Sequence, residues 1–146
     1  MNQTHRVEKS VRGDKFIRYT LWANGLSTGV FGVILILFPH FVANLTGLDR
    51  SSALAETGIF LVIFVAFVFG TVKMKLIPPL YVLILSVVDF LWVIGSIFLI
   101  AKDGTWFTMT LLGIWLVGLV AFVVGVFAVC ELSYWWINRS LKRASD

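Results

Sequence analysis

The residues best able to do chemistry in this chain sit among apolar neighbours. Asp89 lies ten positions into the run Leu80–Ala101, and Ser86, Trp92 and Ser96 recur around it at three- and four-residue steps. On a helix that spacing puts all four on one stripe. Asn24, Ser27 and Thr28 make a similar face in the run Tyr19–Phe38, with Gly25, Gly29 and Gly32 beside it. A charged Asp at the centre of a membrane-crossing helix costs about 2.5–3.5 kcal/mol on insertion scales. It must be protonated, paired or wetted, and no Lys or Arg stands at its depth in any apolar run of the chain. At ~1.5 Å per residue, Thr28 and Asp89 reach about the same depth, with Asn24 one turn away. The expected arrangement packs the two stripes together, the glycines letting the helices approach closely, and bonds Asp89 to Thr28, Asn24 or the Trp92 indole N–H.

Asp89, Asn24, Ser27, Thr28, Trp92, Ser96 and Ser86 are thus a candidate intramembrane polar cluster. An acid at that depth is by default a candidate for proton relay, transport or ligand binding. Its structural alternative is a register-fixing contact, worth about 0.6 kcal/mol per interhelical polar bond. Glu56 opens the second apolar run, where a carboxylate complements the helix dipole. With His40 it is also a candidate outer mouth for a cavity. Glu131, just before Tyr134-Trp135-Trp136, reads as an interfacial partner for Lys73, Lys75 or a tail residue.

Other chemistries lack their residues. Cys130 is the single cysteine, so no dithiol pair forms within the chain. His5 and His40 are the only histidines and neither lies in an apolar run, which excludes a bis-histidine haem in the bundle and the usual His-based metal sites. No G-x-S-x-G, H-E-x-x-H or Walker pattern occurs, and Ser86 and Ser96 have no His or Lys base at their depth. The expectation is a protein that is not an enzyme, with no cofactor and no metal site.

The elements that must position the cluster are membrane spans. Of 146 residues, 59% are hydrophobic and 14% charged, and the mean hydropathy is +0.93. An average soluble domain is about 45–50% apolar and about 25% charged, and a chain this short cannot bury such an excess in one core. Four runs are long enough to cross a ~30 Å hydrocarbon layer: about 19–38, 53–72, 80–101 and 106–130, the last extending as helix toward 137. Pro39, Lys73, Pro78-Pro79 and Lys102-Asp103-Gly104 punctuate them. In lipid the backbone must satisfy itself, and the alternating ten-residue segments of a barrel are missing, so the runs are helices. The connections are short, and the longest, Pro39 to Ser52, is expected as a loop. Tightly joined helices pack as antiparallel neighbours. The expected fold is therefore an all-α, integral membrane, up-down-up-down four-helix bundle. It comprises a basic tail (1–18), one four-span domain (19–137) and a second basic tail (138–146).

Basic residues orient it. Arg6, Lys9, Arg12, Lys15, Arg18, Lys73, Lys75, Arg139, Lys142 and Arg143 fall on one side, against Arg50 and Lys102 on the other. Both termini are expected in the cytoplasm. The net charge of +4 thus reports topology and contact with anionic lipid headgroups rather than nucleic acid. Tyr19, Trp22, Tyr81, Tyr134, Trp135 and Trp136 fit a cytoplasmic interfacial belt and Trp106 an outer one. Trp92 and Trp115 are expected to pack between helices. The first run is too long for a signal-peptide core, has no A-x-A-like site behind it, and reads as a retained span.

Arg18, Asn24-Gly25-Leu26-Ser27, Leu37-Phe38-Pro39, Gly47-Leu48, Gly58 and Asp89-Phe90-Leu91-Trp92-Val93-Ile94-Gly95-Ser96 resemble, over residues 18–101, a group of small bacterial four-span membrane proteins without assigned function. That resemblance implies an inner (plasma) membrane protein, and marks Asn24, Asp89, Trp92 and Ser96. DoxX-like proteins share the architecture, but their motifs are not found here. Small multidrug transporters carry their essential acid in the first span, where this chain has Asn24, and the strong basic bias here points to a single orientation. The function expected is a non-enzymatic accessory or assembly role beside a partner membrane protein or as a homo-oligomer. The alternative is a small proton-coupled transporter or channel component in which Asp89 changes protonation. A lipid-surface binder acting through the basic tail is a third reading.

Overall fold

The computed structural model describes residues 3–106 and 108–143. It contains five helices, α1 (Gln3–Leu37), α2 (Pro39–Thr46), α3 (Ser51–Val72), α4 (Pro79–Ala101) and α5 (Leu111–Arg143). Four stretches are long and apolar enough to cross a membrane: Lys15–Leu37, Ser51–Val72, Pro79–Ala101 and Leu111–Arg139. The chain is therefore an all-helical protein with the span composition of a membrane protein.

The helix ends differ from the sequence expectation where local chemistry overrides hydropathy. The basic segment preceding Tyr19 is helical and continuous with α1, because no proline interrupts it before Pro39. The stretch after Pro39 is a helix rather than a loop. Pro39 sits at its first position, where the missing N–H costs nothing, and Gly47 (φ +80°) ends it in the left-handed conformation. The last helix begins at Leu111, later than Trp106, because the preceding backbone has other partners. Met109 N–H donates to Asp103 Oδ1 (2.8 Å) and Thr110 N–H to the Thr46 carbonyl (2.8 Å). Thr110 Oγ1 then accepts from Gly113 N–H at 2.9 Å, capping α5. At its other end α5 passes Ile137 and runs to Arg143.

The helices pack as α1 on α3 and α4 on α5, with α1 also meeting α5 and α2 lying across α3 and α5. α3 and α4, despite their short connection, make no comparable close approach. The glycines of α1 serve α3 rather than α4, contrary to the expected packing. A Cβ on Gly25 would stand 3.0 Å from Phe69, one on Gly29 3.5 Å from Val65, and one on Gly32 3.0 Å from Leu61. Gly58 of α3 returns the fit, since its Cβ would stand 2.7 Å from the Gly32 carbonyl oxygen. The reason is angular. The glycine stripe begins one residue after Asn24, which turns it to the neighbouring face of the helix.

Ile17, Leu21, Phe64, Val68, Val72, Ile77, Val82, Leu85 and Tyr134 form one apolar core at the Arg18 end. Arg18 closes that end by donating to the backbone carbonyls of Val72, Met74 (2.6 Å) and Lys75 (2.9 Å). These include orphan carbonyls at the α3 C-terminus. Trp115 does not pack between helices: it is 72% exposed, half a turn round α5 from Gly113 and Val117. Trp106 instead stacks edge-on against Phe98 at 5.7 Å, under the Lys102 ammonium.

Candidate functional site

At the top of the Arg18-end core, α1, α4 and α5 each contribute one buried polar side chain: Asn24, Asp89 and Glu131. The Asn24 amide nitrogen donates to Asp89 Oδ2 at 2.6 Å and to Glu131 Oε1 at 3.1 Å. An amide NH₂ has two hydrogens, so the pair of carboxyls uses both. Thr28, one turn along α1, donates to Asn24 Oδ1 at 3.0 Å and fixes which way the amide points. Asn24 and Glu131 are fully buried and Asp89 is 3% exposed. Neither acid has a cationic partner among the described residues. Arg18, on the same helix as Asn24, is engaged with carbonyl oxygens.

The other candidates divide. Ser86 is fully buried and donates to the Ala128 carbonyl at 2.8 Å, tying α4 to α5 below the acids. Ser96 and Ser27 donate to their own helices, to the carbonyls of Trp92 (2.9 Å) and Ala23 (2.8 Å). Trp92 shares the Asp89 face, and its buried indole N–H has no partner, so it does not serve Asp89. Glu56 and His40 are exposed and join neither the cluster nor the cavity described below.

Glu131 is the member missing from the sequence-derived cluster. Its expected interfacial pairing with Lys73, Lys75 or a tail residue is replaced by full burial against Asn24, with Oε2 also buried and without a partner. Two signals in the chain could have located it. It shares a helical face with Ala128 and Val124, three and seven residues back. It also lies eight residues from Arg139, while Asn24 lies nine from Lys15, at the same end of the bundle.

Beyond Asp89, toward the Pro39 end, the four long helices separate around a cavity of about 770 Å³. Phe31, Leu61, Phe64, Leu99 and Val120 make most of its wall apolar, while Thr28, Asp89, Trp92 and Ser96 give it polar points. Among the described residues no Lys, Arg or His lines it. Val42 and Thr46 of α2 line its far end. Two seams open it sideways. Val30 and Ile34 of α1 with Leu119 and Val123 of α5 both line the cavity and lie exposed on the helix surfaces. So do Phe60 of α3 and Leu91 of α4, along the pair of helices that do not pack closely. The volume is that of a small-molecule site.

No family model, curated protein or solved structure matches the chain.

Proposed function

We propose that this is a non-enzymatic, multi-pass membrane protein that holds a hydrophobic or amphiphilic molecule taken from the bilayer. One observation carries this: the cavity opens through seams between membrane-length helices, and those seams face lipid once the helices span. The bundle is read as up-down-up-down with both termini cytoplasmic, on the excess of Lys and Arg at the tails and the α3–α4 connection. The resemblance over residues 18–101 supports a bacterial inner membrane location and an accessory role, with a partner membrane protein or a second copy of the chain beside it.

Gly95 gives the test. It lines the cavity, and a Cβ there would meet nothing within 4 Å, so a Phe side chain has room to occupy the space. Gly118 is equally open but does not line the cavity. Wild type and Gly118→Phe should retain bilayer-derived molecules through purification, read by mass spectrometry of extracts, and Gly95→Phe should lose most of them. Equal retention by all three sinks the reading.

Proton-coupled transport is the second reading, favoured by two carboxyls sharing one donor with no cation at hand. It requires Asp89→Asn to fold, keep the cavity ligand, and abolish proton-driven flux in liposomes.

A further inference from the structure

The cavity has a chemical polarity that narrows its occupant. Among the described residues Asp89 is the only ionisable side chain on its wall, and a second carboxyl, Glu131, stands behind it across Asn24. Asn24 has no further hydrogen to offer, and no cation of this chain meets either acid among the described residues. A buried carboxylate without a counter-charge is strongly disfavoured, so whatever settles against Asp89 gains by bringing a positive charge. Trp92, three residues along the same helix and on the same wall, adds an aromatic face that suits a cation. Apart from the hydroxyls of Ser27, Thr28, Thr46, Thr57 and Ser96, the rest of the lining is apolar. An acid-headed amphiphile would add a third buried carboxyl with no cation to balance it.

Resting on the bilayer-binding reading above, we infer that the cavity takes a lipophilic amine, its nitrogen at Asp89 and its chain among Phe31, Leu61, Phe64 and Val120. The neutral amine enters through a seam and accepts the proton of the Asp89 carboxyl through its nitrogen lone pair. An ammonium–carboxylate pair results, with no net charge brought into the membrane.

The test uses the full chain in zwitterionic lipid nanodiscs, with binding of radiolabelled dodecylamine and dodecanol measured above empty discs. The two probes share a chain and differ in the head. Wild type should prefer the amine by about 10- to 100-fold, the range of a charge-assisted hydrogen bond. Asp89→Asn should erase the preference by weakening amine binding, and Gly95→Phe should weaken binding of both probes. Equal binding of the two probes to wild type overturns the amine assignment and leaves the cavity reading standing. Specific binding untouched by Gly95→Phe, or none of either probe, removes both. The wild-type comparison needs no variant, so it decides even if Asp89→Asn fails to fold.

Discussion

At the level of single residues, the decisive group is one amide. Asn24 donates to two carboxyls and is itself held by Thr28, so its removal strips the only shared donor from two buried acids. Asn24→Leu should cost about 2–6 kcal/mol, since leaving a buried polar group unsatisfied costs about 1–3 kcal/mol and here two are affected. Glu131→Gln should cost less than about 1 kcal/mol, because its carbonyl oxygen still accepts from Asn24 and no uncompensated charge is buried. Reversible unfolding in mixed micelles checks both. Equal costs for the two variants would mean the shared donor is not what holds the cluster. Asn24 and Asp89 were legible as partners because each is polar in an apolar run and the depths nearly match. Glu131 was not, because the apolar run ends at Cys130 and the acid therefore reads as interfacial. The helix in fact continues to Arg143, and the acid falls inside.

Among the helices, glycine sets how closely α1 and α3 meet. Gly58→Ala would push a methyl carbon to 2.7 Å from the Gly32 carbonyl oxygen, and Gly32→Ala would meet Leu61 at 3.0 Å. Each should destabilise the chain by about 1–3 kcal/mol, the usual penalty for overpacking. Gly70→Ala and Gly118→Ala, with nothing within 4 Å, should be neutral or stabilising by up to about 1 kcal/mol through helix propensity. Thermal unfolding of the four variants in detergent tests the contrast, and similar shifts in all four would discredit the α1–α3 fit. The number of spans and their approximate ends could be read from hydropathy and proline placement. The partner of the α1 glycines could not, since a small-residue stripe accepts any helix and only the angle from Asn24 distinguishes α3 from α4. Helix α2 was likewise hidden. Eight residues are too few for a periodic signal, and Pro39 reads equally as a stop for one helix or a start for the next.

For the whole molecule, the basic residues make a clear prediction. Reporter fusions at either terminus should be active only when the reporter works in the cytoplasm, and a fusion in the 103–110 connection should show the opposite pattern. A terminus found outside would invert the assignment of both ends of the bundle. The cavity itself left no mark in the sequence, because residues that line an apolar space and residues that face lipid have the same composition. One consequence follows from α2. The Thr46 carbonyl accepts from Thr110 N–H, and the Thr110 hydroxyl donates to the Leu45 carbonyl at 2.6 Å, tying α2 to the start of α5. With that end tied shut and the opposite end filled by core, the open routes are sideways. On the proposed bilayer-binding reading, occupancy is governed by mole fraction in the surrounding leaflet rather than by molarity in the water. Dilution with buffer should leave the site filled, whereas added phospholipid at constant aqueous volume should empty it.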